Sequence, residues 1–365
     1  MKNDVKKYNI DNIINKYPNA QYYLIFGQKS NGKSYQVKHK QAIEHYLKTK
    51  MKFILLRRWR EDLSSSWVEK YFNDVDVEKL TDGKYNCISL WRKDLFLANI
   101  DENLKIKRGE KIGTCVPLSR RTALFGSEFF RLRQNYFWGI YGASAYISPM
   151  SVQNLKYFTI QLTDGRGVTK CFMVGNTISR VCPYLNDWNL LNNIRNMKKG
   201  DIIDVKTGNK IKVNGKEIDV SIAIEFCNSI DGNKIAFGQA SSMIDGGEWQ
   251  TDKQPKLEYS KKLYDLQYRI GFRYMGFSFI AELLAKDNNF AWFIYPYNRE
   301  FKDNIIIFSD EVKEKNNWFR DVYNIPLIPK LHDFLNKTFR QCNIFYSDDL
   351  TGTDFNKSID FQIKK

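Results

Sequence analysis

Tyr22-Tyr23-Leu24-Ile25-Phe26-Gly27-Gln28-Lys29-Ser30-Asn31-Gly32-Lys33-Ser34 is the stretch from which the chain is best read. An apolar run of strand character ends at Phe26, and a polar loop with two glycines follows. Tyr35 to Lys48 then has few breakers and suits a helix. Gly27 to Ser34 fits G-x-x-x-x-G-K-[ST] without a mismatch. A loop of this kind turns backbone N–H groups inward as a nest for phosphate oxygens, and the helix start adds its partial positive charge. Gly27, Gln28, Lys29, Ser30, Asn31 and Gly32 would form that nest. Lys33 would reach the β- and γ-phosphates, and the Ser34 hydroxyl would hold Mg²⁺. The bland alternative is an ordinary glycine turn between strand and helix. Motif and context together favour a nucleotide site, with ATP and Mg²⁺ as the cofactors.

Composition narrows the partners. The chain has 365 residues, long enough for two domains with real cores, and it is too apolar for a disordered protein. Its 57 Lys and Arg exceed 41 Asp and Glu, a net charge of +16 that favours a polyanion, nucleic acid above all. No apolar run reaches the ~20 residues that span a bilayer, and Met1 to Lys7 lead into no apolar segment, so neither a membrane nor a signal peptide is expected. Cys87, Cys115, Cys171, Cys182, Cys227 and Cys342 form no C-x-x-C pair, and there are three histidines. That usage fits reduced thiols in a cytoplasm and argues against a zinc site or a histidine-activated nucleophile.

Along the chain, residues 1–20 read as a polar lead-in with a short amphipathic helix carrying Ile10, Ile13 and Ile14. Lys52-Phe53-Ile54-Leu55-Leu56 reads as a second buried strand, running into Arg57-Arg58-Trp59-Arg60; strand, loop, helix, strand is the parallel α/β pattern. Short alternating runs between 84 and 118 suggest a β-meander inserted as a lid, about 76–116. Val168 to Ile178 resumes the buried-strand pattern, with Asn176 at its end either sensing the γ-phosphate or simply turning the chain. These elements make 1–195 one α/β domain. Glycine turns mark 196–256 as a linker with a small β-rich segment. Strand-like Tyr274–Leu284, Phe290–Tyr297 and Asn304–Phe308, a helix at Leu331–Phe339 and a polar tail make 257–365 a second α/β domain.

Taken in order, Gly27 to Ser34, Leu55-Leu56-Arg57-Arg58, Val116-Pro117-Leu118-Ser119 and Gly175-Asn176-Thr177-Ile178-Ser179 resemble the DNA-packaging ATPases (encapsidation proteins) of phi29-like tailed phages. The resemblance covers most of the first 190 residues and, more loosely, the rest. It implies a P-loop NTPase domain of the additional-strand, conserved-glutamate type and a C-terminal RNase H-like domain that no longer cuts. It also implies a ring, of five subunits, docked on the procapsid portal in the host cytoplasm and pushing double-stranded DNA inward. A packaging RNA is a further partner of this kind.

One segment departs from the family. Where an apolar strand should end in Asp-Glu, holding Mg²⁺ and orienting water, this chain reads Asn135-Tyr136-Phe137-Trp138-Gly139-Ile140-Tyr141. Gly139 and Ile140 stand at the acid positions. Glu128 upstream and Asp164 downstream are the nearest carboxylates, and Glu128 is the candidate catalytic acid. Residues 131–162 contain no Asp or Glu, and one account is a pair of compensating frame errors in the translated sequence. A peptide mass map matching 131–162 as written would dismiss that account. A ring ATPase needs an arginine that acts on a neighbouring subunit's nucleotide; Arg166, or else Arg120 or Arg121, is the candidate, and a solvated surface arginine is the alternative.

In the second domain Glu282, Asp303, Asp310, Asp348, Asp349 and Asp354 are the carboxylates available to a two-metal nuclease. Loop chemistry accounts for the dense run Asp348 to Asp354. Lys261, Lys262, Arg269 and Arg273 are the basic positions expected to touch DNA backbone or portal. Three readings follow: a DNA-translocating ATPase, a nucleotide-binding assembly protein that does not hydrolyse, and a packaging ATPase with an active nuclease.

Overall fold

The computed structural model describes residues 8–28, 31–57, 64–117, 135–140, 170–176, 180, 185, 188–195, 197–213, 216–228, 249, 251–257, 263–274, 276–302, 304–309, 337–339 and 341–363. Contact clustering divides the chain into two units. The first comprises 1–178, 193–236 and 241–248; the second comprises 179–192, 237–240 and 249–365.

The first unit is organised by a nine-stranded sheet. In chain order its strands are β1 (Tyr22–Gly27), β2 (Lys52–Arg57), β3 (Cys87–Trp91), β4 (Asp94–Ile100), β5 (Ile106–Pro117), β6 (Asn135–Ile140), β7 (Cys171–Asn176), β8 (Ile202–Val213) and β9 (Lys216–Phe226). The spatial order is β3-β4-β5-β2-β6-β7-β1-β9-β8. From β5 to β9 every neighbouring pair is parallel. Strands buried on both faces need continuous apolar runs, and Tyr23-Leu24-Ile25 and Phe53-Ile54-Leu55-Leu56 supply them, each at most 2% exposed. β1 is the switch point. The chain leaves it for β2, three places away on one side, and its two neighbours β7 and β9 arrive much later. In open parallel sheets ligands gather at the carboxyl ends beside such a point.

Helices cover this sheet. α1 (Asp11–Lys16) buries Ile13, with Ile10 just before it buried and Ile14 half-buried, as the amphipathic pattern predicts. The helix after β1, called α2, runs through Lys33–Gln36, a π-wound Val37–Glu44 and His45–Thr49. Its inner face places Val37, Ala42, Ile43 and Tyr46 in the core. α3 (Ser65–Phe72) is capped by the Ser64 hydroxyl, which accepts from the Trp67 N–H. With the short α4 (Val77–Leu80) it lays Val68, Phe72 and Val77 over Ile88 and Leu90 of β3.

Two expectations about this unit change. The meander at 84–117 exists, but β4 pairs antiparallel with β5 and β5 pairs with β2, so it extends one edge of the main sheet and is not set apart as a lid. The short strands expected within 196–256 are present, but they do not form a separate small segment. They form a hairpin whose inner strand β9 pairs with β1 along Tyr22↔Ile222 to Phe26↔Phe226. The physical reason is the apolar run Ile222-Ala223-Ile224, at most 3% exposed, which demands a sheet neighbour on both sides.

The second unit holds a five-stranded sheet of β10 (Asp265–Tyr274), β11 (Phe277–Lys286), β12 (Asn289–Pro296), β13 (Ile306–Ser309) and β14 (Asn343–Tyr346), in the order β13-β10-β11-β12-β14. β10, β11 and β12 form an antiparallel meander, and the two outer strands add in parallel. Asp287 and Asn288, both at positive φ, make the two-residue turn between β11 and β12, which is the turn chemistry such hairpins need. After α5 (Leu191–Arg195), a short helix that precedes β8 in the chain, α6 (Asp349–Ile363) seats Phe355 edge-on against Phe272 at 5.0 Å and Phe279 at 5.4 Å. The expected strand Tyr274–Leu284 is split, because Gly276 at φ +78° turns the chain between β10 and β11. The expected polar tail is β14 and α6. Of the expected helix at 331–339, residues 337–339 are helical, and 331–336 lie outside the described residues.

Candidate functional site

β1 ends at Gly27, where the sheet leaves no room for a side chain: a Cβ there would lie 2.9 Å from the Cys227 Cβ. Gly32 adopts φ +90°, a left-handed conformation that glycine takes without strain, and α2 begins at the next residue. Gln28, Ser34 and Asn176 are half-buried, while Asn31 and Lys33 are buried at 3% and 4% exposure. Lys29 and Ser30 lie outside the described residues.

The polar groups of this loop face one another. Lys33 Nζ donates to the Gln28 carbonyl at 2.5 Å and to Asn31 Oδ1 at 2.9 Å, and the Lys33 N–H also donates to Asn31 Oδ1. Burial pulls the Lys33 ammonium down to about 8, with the Cys227 thiol acting weakly against that. The Asn31 amide Nδ2 is buried and, among the described residues, has no oxygen or nitrogen acceptor; the Cys227 thiol, a weak acceptor, is its neighbour. An N–H without a strong acceptor costs free energy until one arrives, and an ammonium held only by neutral oxygens gains from an anion. The donor set therefore fits a phosphate chain.

Asn176 is register partner of Gly27 at the carboxyl end of β7, so the strand end read from sequence does stand beside the loop. β6 lies between β2 and β7, and its carboxyl-end backbone pairs Gly139 with Met173 and Ile140 with Val174. The strand expected to carry the acidic pair is thus next but one to β1, and Gly139 and Ile140 are its closing residues. Glu128, Asp164, Arg120, Arg121 and Arg166 lie outside the described residues. Among the described residues no group of three or more His, Cys, Asp or Glu could hold a metal ion.

On the other side of β1 is a carboxylate that sequence reading passed over. Glu225 of β9, register partner of Ile25, is 5% exposed and accepts the Tyr8 hydroxyl at 2.7 Å. Burial pushes its carboxyl up to about 7, and the Tyr8 hydrogen bond works against that rise. A lone acid inside the apolar run Ile222 to Cys227 was the available signal.

A sequence model of the podovirus DNA encapsidation protein (Gp16) matches residues 4–254. The chain belongs to this family. Three solved structures resemble it. The bacteriophage phi-29 viral genome packaging motor assembly has a TM-score of 0.52 at 16% identity, covering 98% of both chains. The N-terminal domain of the DNA packaging ATPase from bacteriophage phi29 gives 0.41 at 19%, over 63% of this chain and 98% of that one. The phi-28 gp11 DNA packaging motor gives 0.45 at 11%, over 98% of both. No curated protein sequence matches. This member of the encapsidation family is therefore a phage DNA-packaging protein, and its mixed α/β fold is similar to that of the chain in the phi-29 packaging assembly. Among its described residues no helix is long and apolar enough to cross a membrane.

The basic positions of the second unit are less available than sequence suggests. Arg269 donates from Nε to Glu282 Oε1 at 2.8 Å, and Glu282, 3% exposed, also accepts the Tyr295 hydroxyl at 3.1 Å. Arg273 lies 5.1 Å over the Phe301 ring. Lys261 and Lys262 lie outside the described residues.

Proposed function

We propose that this protein is the ATP-driven motor subunit that translocates double-stranded viral DNA into a procapsid. One observation carries the reading: the glycine loop Gly27–Ser34 leaves β1 at the switch point of a parallel sheet ordered β2-β6-β7-β1-β9. The order supports the additional-strand type, since β7 lies between the loop strand β1 and the strand β6 at the acid position. Lys33 and the loop N–H groups bind ATP phosphates, Ser34 holds Mg²⁺, and Asn176, level with Gly27, senses the γ-phosphate. The basic balance of the chain suits DNA, and the fold it shares with the phi-29 viral genome packaging motor assembly suits a motor subunit. The ring and the portal come to this reading through the family. Five subunits, a packaging RNA and action at the procapsid vertex in the host cytoplasm belong to this reading through the family.

A second reading is favoured by Gly139 and Ile140. With no acid at the end of β6, nucleotide binds but turnover is slow, and the subunit serves assembly. Glu128 as a displaced acid, with Arg166 or the Arg120–Arg121 pair acting in trans, restores the first. ATP turnover measured with and without DNA, beside Lys33→Ala, separates them. DNA-stimulated turnover lost in the variant supports the motor, and tight ATP binding without turnover supports the assembly protein. Plasmid nicking with Mg²⁺ or Mn²⁺ tests the nuclease reading of the second unit.

A further inference from the structure

From sequence the lead-in is polar apart from its short amphipathic helix, yet Tyr8, ahead of that helix, is 8% exposed and makes two long-range bonds. Its backbone N–H donates to the Asn31 carbonyl at 3.1 Å, and its hydroxyl donates to Glu225 Oε2 at 2.7 Å. The segment is tied down on both sides of the loop. Asp11 pairs with Lys40 of α2, and Lys16 Nζ donates to the Ile202 carbonyl of β8 at 2.9 Å. Below the loop, the Cys227 N–H donates to the Phe26 carbonyl at 2.8 Å, fixing the start of the turn against β9. Asn31 is the hinge of this chain of contacts. Its backbone carbonyl is held by Tyr8, while its side-chain oxygen holds the Lys33 ammonium.

We infer that Tyr8 is a positioning residue for the phosphate loop: anchored on Glu225, it fixes the Asn31 backbone so that the Lys33 ammonium and the buried Asn31 amide face an incoming phosphate. Plain packing of a tyrosine would need only its ring. Here the hydroxyl is spent on a buried carboxylate and the N–H on the loop itself, which is an arrangement for holding geometry. The hairpin β8–β9 thereby gains a role, since it supplies the anchor one strand from the nucleotide.

This inference rests on Gly27–Ser34 being the nucleotide site, so two readouts are taken on the full chain. One is affinity for a fluorescent ATP analogue with Mg²⁺; the other is amide hydrogen exchange of 27–36 without nucleotide. Tyr8→Phe is expected to weaken the analogue by about tenfold, the scale of one hydrogen bond to a charged group, and to speed exchange across the loop. Glu225→Ala should behave alike, and the double variant should be no worse than Glu225→Ala. Glu225→Gln keeps an acceptor and should stay within about twofold of the parent. Unchanged affinity and exchange in Tyr8→Phe would overturn the inference, as would losses that track the unfolding midpoint in Glu225→Gln as well. If the parent protein binds no analogue, the site reading fails, and exchange alone decides whether Tyr8 orders the loop.

Discussion

The two sheets of this protein both bury charge, but they do so to opposite ends. Around β1 the polar groups of the first unit are only half answered from within. Lys33 rests on neutral oxygens, and the Asn31 amide nitrogen has no oxygen or nitrogen acceptor among the described residues. In the second unit the buried carboxylates are answered by the protein. Glu282 takes Arg269 and Tyr295, and Asp354, 3% exposed, pairs with Arg180. A buried donor without a strong acceptor beside an ammonium on neutral oxygens suits a place that takes a ligand, and paired acids suit a scaffold. Since Arg180 Nε and Trp292 Nε1 of the second unit are also buried without an acceptor among the described residues, it is the pairing of the charged groups that separates the two units. The contrast teaches why the first unit is proposed to hold the nucleotide, while Glu282 and Asp354 of the second serve its fold.

The strongest way to break the contrast is to remove the ammonium. Lys33→Ala should weaken ATP binding by more than about a hundredfold, roughly 3 kcal/mol, with little change in the unfolding midpoint. Retained affinity would mean that the loop's donors were not awaiting phosphate. The matching change in the second unit should do the reverse. Arg269→Ala leaves Glu282, among the described residues, with the Tyr295 hydroxyl alone and should cost about 2 kcal/mol of stability, discounted because Arg269 is half exposed. ATP binding should be untouched. If the variant keeps its stability but loses DNA affinity instead, the arginine is a DNA contact as the sequence first suggested.

A third test sharpens the electrostatic half. Burial holds Lys33 down near 8, so at pH 8.5 most of the nucleotide-free protein carries it neutral. Phosphate raises that value again, and binding must then take up most of one proton. Affinity falls as pH rises through 8, by up to about tenfold per unit. Calorimetry in buffers of different ionisation enthalpy reads the uptake directly; no uptake would mean that Lys33 does not meet the phosphates.

How much of this was legible beforehand depended on how local the physics is. The passage from β1 into α2 was legible because strand, glycines and helix start lie within a few residues of one another, and β1, β2 and β7 because each is a continuous apolar run. β10 was missed although Leu266, Tyr268, Ile270 and Phe272 alternate with polar residues, since its charged face looked like a surface for DNA. β9 was split from its sheet because its partner β1 lies some two hundred residues away, and no pattern within the hairpin names that partner. The Tyr8–Glu225 bond spans 217 positions, and only the fold brings it together. The acid positions at Gly139 and Ile140 came from the resemblance, and the strand order supports looking for them there.

The smallest test concerns the run Asp348 to Asp354, which from sequence was loop chemistry or a metal cluster. The loop reading gives way, because 349–363 are helical and Asp348 caps α6. Its Oδ1 accepts the Thr351 N–H at 2.7 Å and its Oδ2 the Ser347 and Thr351 hydroxyls at 2.8 and 2.6 Å. Burial pushes this carboxyl upward, but those hydrogen bonds outweigh it and hold it below the usual aspartate range. A depressed acid stabilises the fold above its unfolded value and loses that contribution as pH falls through its folded value. Asp348→Ala should therefore cost about 1 kcal/mol at neutral pH and progressively less in acid. Asp348→Asn, itself a good cap, should recover most of the loss at pH 7 while flattening the acid dependence. A nuclease ligand would behave otherwise: asparagine would rescue stability no better than alanine, and Mn²⁺ would raise the unfolding midpoint of the parent alone.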